Sequence, residues 1–203
     1  MKRAKFVVAI LAVLIGLLGT WLSVAGTVET SREIQEGIAG KIIRFHVLAN
    51  SDSEADQALK LKVRDGVIRY LEDSVDKAES VEDARGMILE QMDAVVARAE
   101  EVIAENGYAY PVEAGLRKLY FPVKSYGDVT LPEGIYEALQ VRIGEAAGHN
   151  WWCVIYPGLC FVEDSYEVVA DEKLGELEDL LTREEFEAVM KDKKFKIGWK
   201  WFS

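Results

Sequence analysis

Histidine, cysteine and proline are scarce in this chain, and each scarcity removes a class of explanation. Two histidines among 203 residues leave little choice of general base or of imidazole metal ligand. Neither His46 nor His149 stands at a finger-like or HExxH spacing, so zinc chemistry finds no ligand set. No Gly-x-Ser-x-Gly elbow is present, which argues against a serine nucleophile of the α/β-hydrolase kind. The glycine-containing stretch GDVTLPEG (127–134) lacks the lysine of a phosphate loop. No catalytic, metal or cofactor-binding residues are therefore expected. Basic residues are also in deficit. Without the first 25 residues, which hold Lys2, Arg3 and Lys5 and no acid, 21 Lys+Arg face 35 Asp+Glu, a net charge of −14 with histidines neutral. Nucleic acid and anionic headgroups repel such a body, so a partner surface should be basic or apolar.

Charge is absent altogether from Phe6 to Val28. The run FVVAILAVLIGLLGTWLSVAG follows a basic start and approaches the roughly 20 residues that span a bilayer. It is longer than the ~7–15 apolar residues of a cleaved signal, yet Ser23-Val24-Ala25 offers small residues for a cut before Gly26. A cleaved signal and a retained anchor, with residues 6–25 in the membrane, both remain open. Either way the positive end stays inside and the rest is exported. The division expected is signal or anchor 1–25, linker 26–40 and exported domain 41–203.

The two cysteines, Cys153 and Cys160, lie in NWWCVIYPGLCF within the exported part, where a close pair reads as a disulfide. A turn over Ile155-Tyr156-Pro157-Gly158 sets the two opposite each other and requires a cis Tyr-Pro bond. A turn over Tyr156-Pro157-Gly158-Leu159 suits a trans type II turn and leaves the cysteines out of register. The bridge is the favoured reading.

Periodicity outlines the rest. ETSREIQEGIAG (29–40) suggests one helical turn or two through Ile34 and Ile38. KIIRFHVLA reads as a strand. Leu59, Val63 and Val67 recur at helical spacing from Glu54 to about Tyr70, and EDSVDKAES follows as a polar turn. A second helix is expected from about Val81 to Glu105, lined by Ile88, Met92, Val95, Ala99 and Ile103 and stopped by Gly107. Strand patterns return at 110–121 and 135–146, separated by a loop PVKSYGDVTLPEG. NWWCVIY is expected to pair beside the second of these after a turn at 147–150, and helices close the chain near 171–193. The fold class is α+β: one domain with a strand, two long helices, an antiparallel meander and C-terminal helices.

RFHVLANSDSEAD (44–56) gathers a histidine, two serines and three acids. Asn50, Ser51, Asp52 and Ser53 all favour turns and helix N-caps, and Ser53 with Asp56 resembles a capping box. Helix entry explains every polar residue except His46, which reads as a half-buried strand histidine. An exported hydrolase using His46 with Ser51 or Ser53 is the enzymatic alternative, and an envelope structural protein is a third reading. Trp151 and Trp152 point to opposite sheet faces; one reads as core and the other as an anchor for a partner. The tail KFKIGWKWFS alternates aromatics with lysines, as a last edge strand or a flap that meets a membrane or partner.

Three strings carry a family resemblance. They are Phe45–Ser53, Leu131-Pro132-x-Gly134-x-Tyr136-x-Ala138-Leu139, and Gly148-x-Asn150-Trp151-Trp152-Cys153 with Pro157 and Cys160. With their spacing they closely resemble the stage II sporulation protein R family of endospore-forming bacteria. Gly158 departs from the pattern, which has a second proline there. The resemblance implies a non-enzymatic signal, exported from the forespore into the intermembrane space. There it would activate a membrane-embedded aspartic protease, the receptor, which processes an inactive pro-sigma factor. The family supplies no catalytic residues; His46, Asn50, Asp52, Trp151 and Trp152 are the candidate partner-binding residues.

Overall fold

The computed structural model describes residues 16, 17, 20, 30–159 and 171–191. The rest of the expected signal or anchor, Cys160 and the aromatic tail from residue 192 lie outside the described residues. Helix α1 occupies residues 30–39, almost three turns where one or two were expected. It is held by Ile38, which is fully buried, and by Ile34 against the core.

Strand β1 (Ile43–Leu48) follows, then α2 (Glu54–Val75). The apolar stripe of α2 continues through Ile68, Leu71 and Val75, all buried, which carries the helix five residues beyond its expected end near Tyr70. The expected single helix from Val81 to Glu105 is two, α3 (Val81–Glu90) and α4 (Met92–Glu105). Gln91 leaves helical geometry between them at φ −99, ψ 8, and its amide binds Met87 O at 3.1 Å. No proline or glycine marks the break. Gly107 ends α4 as expected, at φ +80, where a residue without Cβ is favoured.

The strands are β2 (Val112–Phe121), β3 (Lys124–Tyr126), β4 (Val129–Leu131), β5 (Gly134–Ile143) and β6 (Asn150–Tyr156). The stretch expected as loop holds the β3–β4 hairpin. The four-stranded sheet runs β2-β5-β1-β6, with β1 parallel to β5 and antiparallel to β6. This corrects the meander: β6 does not pair with β5, because β1 lies between them. The six residues 144–149 cannot close a hairpin, since they must reach over two strand spacings, about 10 Å. They arch across the end of β1. Helices α5 (Asp171–Leu180) and α6 (Arg183–Lys191) fall where C-terminal helices were expected.

The pleat gives each sheet face a role. Phe45, Val47, Leu139, Val141 and Cys153 share the face toward α2–α4. Arg44, His46, Phe121, Tyr136, Gln140 and Trp152 share the other, toward α1, the β3–β4 hairpin and α6. β1 is buried on both faces although its sequence alternates, Ile43, Phe45 and Val47 with Arg44 and His46, because the second face buries polar side chains.

Candidate functional site

Two clusters are built from the resemblance strings. The first begins where β1 ends. Ser53 caps α2, its Oγ accepting from Asp56 N at 3.2 Å. The Asp56 carboxylate does not return to Ser53 as a reciprocal capping box would. It accepts instead from Ser51 Oγ at 2.5 Å and Asn50 Nδ2 at 2.9 Å. Those hydrogen bonds hold its pKa below the ordinary 3.8, Ser51 contributing most, then Asn50, with Tyr110 adding to them.

The same turn pins the arch between β5 and β6. Asn50 Oδ1 accepts from Glu145 N at 3.0 Å, and the carbonyls of Asn50 and Ala49 accept from Ala147 N and Gly148 N. Asp52 accepts from His149 N at 2.6 Å and contacts its Nδ1. Lys60, buried on α2, donates to His149 O at 3.0 Å and Gln57 Oε1 at 2.6 Å; burial lowers its pKa. The approach is close enough to dictate two glycines. A Cβ on Gly148 would lie 2.2 Å from Ser51 O, and one on Gly144, at φ +56, 2.3 Å from Asn50 Oδ1.

The second cluster lies on the sheet face opposite α2–α4. His46 stacks on Trp152 with centroids 4.0 Å apart and planes 2° from parallel, and Phe121 meets both rings edge-on. Gln140 Nε2 donates to His46 Nδ1 at 3.2 Å, which leaves Nε2–H to donate to Asn150 Oδ1 at 2.9 Å. That is one neutral tautomer. Burial pushes the His46 pKa below 6.5; the Asn150 hydrogen bond opposes this and the Arg142 charge adds to it. Beside the stack, Arg44 lies fully buried against Phe121, Tyr126 and Tyr136.

Of the five candidate partner-binding residues, Asp52 is exposed, Asn50, Trp151 and Trp152 are half-buried, and His46 is buried. Trp151 and Trp152 do face opposite sides, but both serve the interior. Trp151 lies beneath the Arg64 guanidinium, 4.2 Å from its ring centroid. Among the described residues no serine hydroxyl reaches a histidine nitrogen: Ser51 is spent on Asp56, and both His46 nitrogens are engaged. Sequence reading named Tyr136 only within a resemblance string and missed Arg44, Phe121, Tyr126 and Gln140. Their signal was a cation and an amide on inward-facing strand positions. Cys153 is buried and no free cysteine occurs among the described residues. The Tyr156–Pro157 bond is cis, as the first of the two turns required. Cys160, the expected second half of the bridge, lies outside the described residues.

The strings that meet in these clusters coincide with a match to the family described as stage II sporulation protein R (spore_II_R), over residues 39–166. The chain belongs to the stage II sporulation protein R family. It is 37% identical over 139 residues to stage II sporulation protein R of Bacillus subtilis (strain 168), a match covering 68% of this chain and 62% of that protein. It thus spans less than two thirds of that relative's length. No solved structure matches it. Membership supports a function in sporulation. The family match takes in the sheet, α2–α4 and the hairpin, while α5 and α6 lie beyond it.

A pH dependence follows from His46. Its folded pKa lies below its unfolded value, so its contribution is complete above about pH 6.5 and declines as pH falls below that. The melting midpoint should drop from pH 7 to pH 5, and His46→Gln should flatten that stretch of the profile. An unchanged profile in His46→Gln would mean the histidine is not held neutral. Lost function in His46→Ala with an unchanged melting curve would instead revive the hydrolase alternative, and normal function would remove it.

Proposed function

We propose that the chain is an exported sporulation signal, made in the forespore, which activates a membrane-embedded aspartic protease across the septum and thereby permits processing of an inactive pro-sigma factor. Membership of the stage II sporulation protein R family carries this reading. The apolar segment from Phe6 to Val28 supports export, and the acidic body suits a freely exposed domain that avoids anionic membrane. The role is non-enzymatic: the polar groups of the resemblance strings are occupied with one another, so they set the shape of one sheet end rather than present a reacting atom. The receptor then meets the corner that this end exposes, at Asp52 and His149. A Cys153–Cys160 bridge belongs to the same reading, since the intermembrane space permits disulfides.

The test is co-expression of the full chain with the membrane protease and its pro-sigma substrate in a non-sporulating bacterium. Processed sigma factor should form with the full chain and not with a version lacking residues 2–25. The exported domain should resist thiol reagents until reduced. A folded, exported domain that yields no processing would refute direct activation.

A further inference from the structure

The sheet has two edges, and β2 forms one of them. It pairs along Val112–Phe121 with β5 and with no other described strand. Ten residues of edge strand present outward donors and acceptors that template a further strand unless something blunts them. No proline and no bulge interrupts β2. Its side chains also form a self-complementary pattern. Glu113, Gly115 and Arg117 share one face, and Val112, Ala114 and Leu116 share the other. Arg117 and Lys118 are exposed, and no ion pair with a described residue engages either. Glu137, opposite Lys118, is taken by Arg85 at 2.8 Å. Glu113 is 74% exposed, with Arg142 of its own chain 3.7 Å away.

We propose that β2 is a self-association surface, on which two copies of this chain pair β2 to β2, antiparallel, about a two-fold axis at Gly115. An isologous pair of this kind extends the sheet and keeps each face continuous. In this register Glu113 of each copy faces Arg117 of the other, and Ala114 faces Leu116. Val112 lies against the stem of Lys118. Moving the centre to Ala114 or Leu116 separates Glu113 from Arg117, so the charges select one register. Pro111, which lacks an N–H, ends the ladder. Net negative charge opposes self-association elsewhere on the body, and this edge carries two unengaged cations.

The full chain, exported from a bacterial host, tests the register by cysteine cross-linking. Gly115→Cys places the new side chain where its nearest neighbour is Arg117 Nε at 3.9 Å, so the fold accepts it. Facing Cα atoms of an antiparallel pair lie about 4.5–5.5 Å apart, within disulfide reach. Mild oxidation should therefore give a doubled-mass species above the background set by the unmodified chain. Lys118→Cys should give none, because its two copies stand about 20 Å apart along the strands. Arg117→Glu, added to Gly115→Cys, should cut the cross-linked fraction at least tenfold with the melting curve unchanged. Adding Glu113→Arg to that variant should restore it. No cross-link through Gly115→Cys, an equal one through Lys118→Cys, or no loss with Arg117→Glu would each overturn the proposal.

Discussion

Asp56→Ala should lower the stability of the domain by about 4 kcal/mol, with the melting midpoint falling by about 10 °C. The carboxylate accepts from Ser51 Oγ and Asn50 Nδ2 and interacts with Tyr110. Hydrogen bonds to a charged group are worth about 1.5–3 kcal/mol each, and half-buried donors left without their acceptor add to that. Because the three share one acceptor, their losses do not add in full; at this chain length about 1 kcal/mol moves the midpoint by ~2–4 °C. Asp56→Asn keeps an acceptor and should cost about half as much. The folded-state pKa is depressed, so this contribution is complete above the ordinary 3.8 and is lost as pH falls below it. The alanine variant should therefore also lose part of the acid-induced drop in stability. Urea denaturation at pH 7 and pH 3 measures both; a variant as stable as the parent at pH 7 would show that the arch holds without its clamp. The glycines explain why the arch has little room to adjust. Ser51 O and Asn50 Oδ1 occupy the space that side chains at 148 and 144 would need.

The elements legible in the sequence are those whose period is undisturbed. The inner face of α4, the Ser53 cap and the Gly107 stop each rest on contacts within a few residues. The topology was not legible, because it depends on a strand far away in sequence. β1 alternates apolar and polar residues as a half-exposed strand does, yet the structure buries both its faces inside the sheet. Arg44 and His46 disguised its central place, because both are polar residues that the fold buries. The break at Gln91 was hidden for the opposite reason: its side chain repairs the helix locally by binding Met87 O, so no helix breaker was needed. For the site, the resemblance strings include Asn50 and Ser51, but sequence alone could not show that Asn50, Ser51 and Asp56 are consumed by one another. Recognition motifs and folding motifs use the same polar residues. What separates them is whether their hydrogen bonds end inside the chain.

Arg44 allows that distinction to be measured. Its Nε donates to Cys153 O at 3.0 Å and its Nη2 to Tyr126 OH at 2.8 Å, while Nη1 has no hydrogen-bond partner among the described residues. The Phe121 and Tyr136 ring centroids lie 4.3 and 5.0 Å from the guanidinium carbon. Burial lowers its pKa, with the two tyrosines opposing. Faces of aromatic rings return about 2 kcal/mol to a desolvated cation, against an effective penalty of several kcal/mol for burying it. Arg44→Ala should be the most damaging of three variants, at about 4–5 kcal/mol, since it opens a cavity and leaves Tyr126 OH and Cys153 O short of a partner. Arg44→Lys keeps the charge but loses the planar fork, and should cost about 3 kcal/mol. Arg44→Met fills much of the same space and removes the buried charge, so its loss should be about 1–2 kcal/mol from the two oxygens alone. Denaturant midpoints of the three variants give the order directly. If Met is as damaging as Ala, the positive charge itself holds the aromatic cluster together. If Met is stable and performs as the parent does in the co-expression test of the proposed function, Arg44 is architecture. A stable Met variant that fails that test would give the charge a part in the proposed activity, even though no solvent touches it.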